Sequence, residues 1–187
     1  MLFIKPGLFA KLETPEGLKT ALQAAIELEH ATIPPYLYAL FSLEPNSNTE
    51  IGELIDSVVK EEMAHMAMAC NILNAIGGKP AIATREFVPT YPGPLPGTVE
   101  EGLIVHLRAF SLCQLETTFM AIEEPEEPLN IPDLAEAPAL TIGAFYTKIK
   151  QQIEAGGPSI FVGDPARQVT VRSFPEVIPV TDVATAS

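Results

Sequence analysis

The sequence is short of basic residues: 11 lysines and arginines stand against 24 aspartates and glutamates, and the net charge is −13. Phosphate backbones and anionic lipid surfaces attract proteins of the opposite charge, so this balance argues against nucleic acid and against a membrane as partners. An acidic chain is compatible with a protein that gathers cations, although many acidic surfaces only keep a protein soluble.

Cysteines and long apolar runs are scarce as well. The chain has two cysteines, Cys70 and Cys113, which are too few for a disulfide framework. Each lies in an apolar helical pattern, which predicts two buried free thiols. No stretch is long and apolar enough to span a bilayer, and the opening MLFIKPGLFAKLE lacks the form of a secretory signal. We therefore expect a cytoplasmic protein.

Hydrophobic residues, by contrast, make up 47% of the 187 residues, and charged residues make up 19%. This composition is typical of a folded chain rather than a disordered one. The length suits one domain with a core of its own, so residues 1–187 are interpreted as a single domain.

Apolar periodicity predicts two long helices in the first half of the chain. The first begins at Thr14, a good N-cap, followed by Pro15 at the first helical position. The second has Asn48 or Thr49 as its cap and ends at the pair of glycines at 77–78. Because a short loop joins them, we expect the two helices to pack antiparallel, with their midpoints level.

Two further helical segments are predicted in the second half. Ser111 with Gln114 forms a capping box that opens the third, and Thr141 caps the fourth, which ends at the glycines 156–157. The pattern changes over residues 79–110. The stretch 84–97 is dense in proline and glycine and cannot be helical, and the weak alternation at 103–110 predicts extended chain. The fold class is therefore mainly α, with long irregular, proline-rich connections.

Three polar residues interrupt the apolar stripes of the two long helices. Glu29 lies midway along the first, and Glu62 and His65, three residues apart and so on one face, lie midway along the second. Burial of an unpaired carboxylate is costly, and a metal ion compensates for it directly. Glu-x-x-His is the ligand spacing of di-iron four-helix bundles. The alternative is a buried Glu62–His65 ion pair without a metal.

The third helix offers Glu116 and Glu123, which lie seven residues apart and so on one face of an α-helix. Either can supply a carboxylate to the same site, and periodicity does not choose between them. His30 and His106 are interpreted as non-ligands, His30 because it lies at the edge of the apolar face, where it would form part of a pocket wall.

Two consecutive prolines, Pro34 and Pro35, stand inside the first helix, where they predict a kink. Tyr36 follows directly and lies two turns from Glu29 on the same face, so it can donate a hydrogen bond to a ligand carboxylate. The kink is interpreted as opening a pocket beside the metal; the alternative is that it only helps packing.

Several blocks of the sequence resemble one family. The blocks are ELEHATIPPYLYAL, EEMAHMAMACNILNAIGG, FSLCQLETTFMAIEEPEE, TIGAFYTKI and FVGDPARQV, and they resemble the ferritin-like domain of the iminophenyl-pyruvate dimer synthase family. That domain occurs in enzymes of bis-indole pigment biosynthesis and in stand-alone bacterial proteins. The resemblance implies a ferritin-like four-helix bundle with Glu29, Glu62 and His65 as metal ligands, and it favours Glu123 over Glu116 as a further ligand.

The chain departs from the family at two places. Ala144 stands where the family often has an acid. The closing VTDVATAS looks like the start of a helix that continues in the family, so the second half of a di-iron ligand set is missing or incomplete in this sequence. We therefore expect the natural protein to continue past Ser187 with a helix bearing a glutamate and a histidine; otherwise we expect a homodimer with an apolar interface.

The resemblance also implies iron, mononuclear or dinuclear, as the cofactor. It implies an oxidoreductase that activates dioxygen or peroxide to act on a small aromatic or amino-acid-derived substrate. A metal-binding or iron-storage protein without an organic substrate is the alternative, and it needs no organic cavity. A third possibility is a structural relic whose polar residues pair without metal.

Overall fold

The computed structural model describes residues 3–98, 103–123 and 141–186, and in these residues the protein is mainly α, as predicted. The helices are α1 (Pro6–Phe9), α2 (Pro15–Phe41), α3 (Thr49–Ala75), α4 (Leu112–Gln114), α5 (Met120–Ile122), α6 (Ile142–Gly156) and α7 (Val183–Ala186). A π-helical segment, Leu115–Phe119, joins α4 to α5. Pairing in the predicted extended stretch, within the described range, is limited to an isolated bridge between Gly93 and Val105.

The predicted helix starts are largely confirmed. The Thr14 hydroxyl accepts a hydrogen bond from the amide of Gly17 at 3.0 Å, and the Thr141 hydroxyl accepts one from Ala144 at 3.2 Å. At the start of α3, Asn48 occupies the cap position in a left-handed conformation, with φ of 52°, and its side chain makes no capping hydrogen bond. Local sequence therefore determines where the long helices begin, even where the expected cap bond is not made.

α2 and α3 pack antiparallel and form two apolar clusters. One contains Leu22 and Ile26 of α2 with Leu73 of α3, together with residues of α6. The other contains Ile33 and Tyr36 of α2 with Ile55 and Val59 of α3. The polar residues at the middle of each helix lie between these clusters, so the antiparallel packing brings the two midpoints together as expected.

α2 continues as one helix through both prolines, so the predicted break does not end it. Proline has no amide hydrogen, and Pro35 therefore leaves the carbonyl of Ala31 without its usual helical donor. The hydroxyl of Tyr91 donates to that carbonyl at 2.6 Å. A loop residue 60 positions away thus satisfies the buried acceptor that the proline leaves open.

The third helical segment differs from the predicted one in its interior. Its start is confirmed, since the Ser111 hydroxyl accepts from the amide of Gln114 at 3.0 Å. The reciprocal half of the capping box, from the Ser111 amide to the Gln114 side-chain oxygen, is not among the hydrogen bonds of the described residues. Gln114 is buried, and its Nε2 has no hydrogen-bond partner there either. The π segment follows, in which the amide of Met120 bonds to the carbonyl of Leu115.

The C-terminal residues lie against α3 and α6. Asn71 of α3 is fully buried, and its side chain bonds to the backbone of Val169 and Ile178. α7 begins at the predicted position, where Asp182 accepts a hydrogen bond from the amide of Thr185 at 2.9 Å.

One prediction is wrong: Cys113 is exposed, because it lies on the outer side of α4, whereas Cys70 is partly buried. Among the described helices, none combines the length and the low polarity needed to cross a membrane.

Candidate metal centre

The midpoints of α2 and α3 bring Glu29, Glu62 and His65 together. Each of the three offers a ligand atom, and these atoms all lie within 4.8 Å of one another. Both glutamates are buried, with 8% exposure each, whereas the His65 side chain is about half exposed. The spacing predicted from the sequence therefore places the three groups in one cluster with one open side, and their binding of a metal stays a prediction.

Glu29 lies at the centre of the cluster. Its Oε2 lies 3.6 Å from Nδ1 of His65, which is an ion-pair distance, and its Oε1 accepts a hydrogen bond from the hydroxyl of Tyr146. Burial pushes the pKa of Glu29 upward, but hydrogen bonds from His65, Glu62 and Tyr146 outweigh it and hold the pKa below its usual value. Glu29 is therefore the carboxylate that stays ionised.

Glu62 behaves in the opposite way. The Thr32 hydroxyl, which lies 2.8 Å from the Glu29 carbonyl, donates to Oε2 of Glu62 at 2.9 Å. Burial, followed by the hydrogen bond to Glu29 and the charge of Glu29, raises the pKa of Glu62 to about 8. Without a cation, two carboxylates this close share a proton rather than both ionising.

His65 is the nearby cationic group. Its pKa is raised by the hydrogen bond to Glu29, against the effect of burial, and the charges of Glu29 and Glu62 add to the increase. No lysine or arginine in the described ranges lies within 4.0 Å of either Glu29 or Glu62. The alternative named a Glu62–His65 ion pair, whereas in the structure His65 pairs with Glu29.

Glu123 enters the same cleft from the third helical segment. The cleft has a volume of about 200 Å³ and is lined by Glu29, Glu62, His65 and Glu123, with Thr32 and Tyr146. The Tyr36 hydroxyl donates to Oε1 of Glu123 at 2.6 Å. Burial, and then this hydrogen bond, raises the pKa of Tyr36. Tyr36 thus bonds to a carboxylate that lines the cleft, and that this carboxylate is a metal ligand stays a prediction.

Glu116, the other candidate on this segment, is exposed and does not line the cleft. The physical reason is the π segment, which contains Glu116 and ends before Glu123. A π turn contains one more residue than an α turn, which rotates everything after it by about 100° relative to what precedes it. Glu116 and Glu123 therefore do not share a face, although their spacing in a regular α-helix predicts that they do.

Tyr146 was not predicted from the sequence. It lies on α6, two residues after Ala144, and its phenol hydroxyl bonds to Glu29. Its pKa is raised well above the usual value, first by burial and then by the charge of Glu29. The sequence feature that could have identified Tyr146 is its position on the apolar stripe of α6, next to the buried Phe145.

His30 lies outside the cluster, and it lines neither the cleft nor the larger cavity beside it, so the wall position predicted for it is wrong. Its ring stacks on that of Phe87 with a centroid distance of 4.3 Å, and burial lowers its pKa. His106 also lies outside the candidate metal group found in the described residues.

A second, larger cavity adjoins the cleft. Its volume is about 400 Å³, and Glu29, His65 and Tyr146 line both spaces. The rest of its lining is mostly aliphatic: Leu22, Met68, Ala69, Ile72, Ile149, Ile178, Val180 and Ala186, with Glu176 and Thr185 as the other polar members. The cluster of carboxylates and imidazole thus opens onto an apolar space.

Comparison with known proteins supports the fold from two directions. The family model described as "Ferritin-like" matches residues 22–187. The crystal structure of a ferritin-like protein from Caulobacter vibrioides superposes with a TM-score of 0.70 at 26% sequence identity, covering 90% of this chain and 62% of that chain. This chain thus spans less than two thirds of the length of that relative. No curated protein matches the sequence. The chain belongs to the ferritin-like family.

Proposed function

We propose that this protein binds iron, as one ion or as a pair, through Glu29, Glu62 and His65. Carboxylates and imidazole suit divalent first-row metals, and a glutamate with Glu-x-x-His is the pattern of di-iron helical bundles. The two carboxylates lie together without a lysine or arginine within 4.0 Å in the described residues. A divalent cation in the cleft would let both ionise, so the residues fit the metal.

The surrounding side chains support this proposal because they fix the ligands in place. Tyr146 bonds to Glu29, and Thr32 bonds to Glu62, so each carboxylate has a donor that restrains its rotation. Glu123, restrained by Tyr36, would be a further carboxylate ligand. Bound iron would supply the activation of dioxygen or peroxide. The half-exposed His65 leaves one side of the cluster open toward the larger cavity.

The larger cavity is the observation on which an enzymatic function rests. Small-molecule sites are mostly apolar spaces of about 300–1,000 Å³ with a few polar groups at one place. This cavity, at about 400 Å³, has that character, and its polar end is shared with the metal cluster. We therefore propose a metal-dependent oxidoreductase acting on a small organic substrate.

The substrate class is proposed from the resemblance to the iminophenyl-pyruvate dimer synthase family. That resemblance points to a small aromatic or amino-acid-derived molecule. The aliphatic lining supports an apolar body for the substrate. A metal-binding or iron-storage protein without an organic substrate is the second candidate, and the acidic cluster supports it equally well. The adjoining cavity favours the enzyme, because an iron-storage protein does not need a cavity for an organic molecule.

The test has two stages. In the first, Fe(II) is titrated anaerobically into the wild type, into Glu62→Ala and into Glu53→Ala, and bound iron per chain is measured. Glu53 is exposed on the same helix and serves as the control. We expect tight binding in the wild type and the control and at least about tenfold weaker binding in Glu62→Ala. Equal binding by all three would overturn the metal assignment.

In the second stage, the iron-loaded protein is given dioxygen or peroxide with a panel of single-ring aromatic amines, alcohols and acids. Consumption of an organic compound in proportion to enzyme turnover supports the oxidoreductase. Oxidation of iron alone, with growth of a mineral and no loss of any organic compound, would favour the storage protein instead.

A further inference from the structure

We propose that the cavity beside the metal centre binds a small apolar amine, and that Glu176 pairs with its ammonium group. This inference rests on the proposed function for the reaction that follows binding, but not for the binding itself. It depends on the shape of the cavity, on the charges that line it and on the way its outer wall is held.

The shape limits the size of the ligand. Along α3 the cavity runs from His65 to Ile72, and seven residues of α-helix span about 10 Å. Leu22 and Ile149 form the facing walls, and a volume of about 400 Å³ lies near the lower end for small-molecule sites. A single ring, or a branched chain of similar bulk, with one short polar arm fits this space.

The charges of the side chains that line the cavity determine which polar group of a ligand can bind there. No lysine or arginine is found in the described lining, which carries the two carboxylates of Glu29 and Glu176. Glu29 is engaged by Tyr146 and His65, and the Thr185 hydroxyl is engaged by Asp182. Glu176 has no hydrogen bond or ion pair with any described residue. It is thus the one lining carboxylate, in the described part of the cavity, that is free to pair with a ligand.

The same distribution disfavours an acid as the ligand's polar group. A carboxylate near Glu176 would meet a like charge, and no described lysine or arginine of the lining would compensate for its loss of water. His65, the other basic residue of the lining, is already paired with Glu29. An ammonium in that place gains a charge-assisted hydrogen bond, which is stronger than a neutral one. An alcohol of equal size gains only a neutral hydrogen bond.

The wall that carries Glu176 is held in place by the side chains of Asn71 and Gln168. The side-chain Nδ2 of Asn71 donates to the backbone carbonyls of Val169 and Ile178 at 2.8 and 3.0 Å. The side-chain Oδ1 of Asn71 accepts from the backbone amide of Val169 at 2.8 Å. Gln168 makes the corresponding pair of bonds to Val180. Ile178 and Val180 both line the cavity. Glu176 lies two residues before Ile178, so these hydrogen bonds also restrain the backbone that carries it.

The test compares three probes that share a phenylethyl group and differ in the polar group: 2-phenylethylamine, 2-phenylethanol and 3-phenylpropionate. Each is titrated calorimetrically at neutral pH into the full chain as purified, and metal content is measured in the same sample. We expect the amine to bind at least about fivefold more tightly than the alcohol, and the acid to bind most weakly. Equal or tighter binding of the acid, or no binding of the amine, would overturn the proposal.

Three variants locate the effect. Glu176→Gln removes the charge from an exposed residue and should abolish the preference for the amine while leaving binding of the alcohol unchanged. Glu154→Gln makes the same change on α6, away from the cavity, and should keep the preference. Met68→Trp fills the cavity and should weaken all three probes. A preference that survives in Glu176→Gln, or probe binding that survives in Met68→Trp, contradicts the proposal.

The outcomes also separate this inference from the proposed metal function. An amine preference that depends on Glu176 in a protein that takes up no iron would sustain the ligand site and overturn the metal centre. Normal iron binding without an amine preference would support the metal centre and overturn the ligand site.

Discussion

The hydroxyl of Tyr36 donates a 2.6 Å hydrogen bond to Oε1 of Glu123, which lies 87 residues further along the chain. Tyr36 is buried directly after the two prolines of α2, and its ring packs against Phe119 with a centroid distance of 4.4 Å. The bond and the ring contact together attach the third helical segment to α2. They place a carboxylate from that segment in the cleft that Glu29 and Glu62 line.

Tyr36→Phe tests this attachment. The ring contact is kept and the hydroxyl is lost, so we expect the free energy of unfolding to fall by about 1–2 kcal/mol. If Glu123 is a ligand, the affinity for Fe(II) should also fall about tenfold, because its carboxylate loses its positioning donor. Urea denaturation and anaerobic metal titration measure the two effects. Tyr38→Phe, at an exposed tyrosine of the same helix, is the control and should change neither.

His65→Ala and His30→Ala test which histidine belongs to the metal cluster. Only His65 lies in the cluster with Glu29 and Glu62, whereas His30 stacks on Phe87. We therefore expect His65→Ala to lower bound iron per chain by at least about tenfold and His30→Ala to leave it nearly unchanged. Metal analysis of both purified variants decides between them. Equal losses would mean that the ligand face is assigned to the wrong histidine.

The pH dependence of stability of the metal-free protein should depend on Glu62. Its pKa is raised to about 8, above the usual 4.5, so the folded state holds this proton more tightly than the unfolded state. The resulting stabilisation is complete below pH 4.5 and is lost as the pH rises toward 8. Glu62→Gln cannot ionise, so its stability relative to the wild type should increase by about 1–3 kcal/mol between pH 5 and pH 8.5.

Urea midpoints of the two metal-free proteins at pH 5, 6.5 and 8.5 measure this difference. Glu53→Gln, at an exposed site on α3, is the matched control and should follow the wild type. A difference between Glu62→Gln and the wild type that stays constant across this range would contradict the assignment of the raised pKa to Glu62.

Asn71→Ala tests the attachment of the C-terminal segment to α3. Asn71 is fully buried and its side chain makes three hydrogen bonds to the backbone of Val169 and Ile178. Their loss leaves buried backbone groups unsatisfied, so we expect about 2–4 kcal/mol of destabilisation. Hydrogen exchange should increase first at the amide of Val169. Asn74→Ala removes a single, exposed 3.2 Å bond to Arg167 and should have a much smaller effect.

Much of the fold was predictable from the sequence because its determinants are local. The caps at Thr14, Ser111 and Thr141 act on amides within three residues, and apolar periodicity then determines which face of each helix is buried. Glu29, Glu62 and His65 were identified in the same way, as polar residues on apolar stripes. Their meeting needs only two helices joined by a short loop, which leaves little choice of packing.

The tertiary structure decided what those local rules leave open. The residues alone did not choose between Glu116 and Glu123, because the choice depends on a π turn that no periodicity predicts. The hydroxyls of Tyr146 and Tyr91 bond to groups 117 and 60 residues away, and Cys113 is exposed although its pattern predicts burial. Local sequence determines helices and faces through contacts within one or two turns. Only the packed chain determines which distant side chain meets a buried carboxylate or carbonyl, because that depends on how all the elements share one interior.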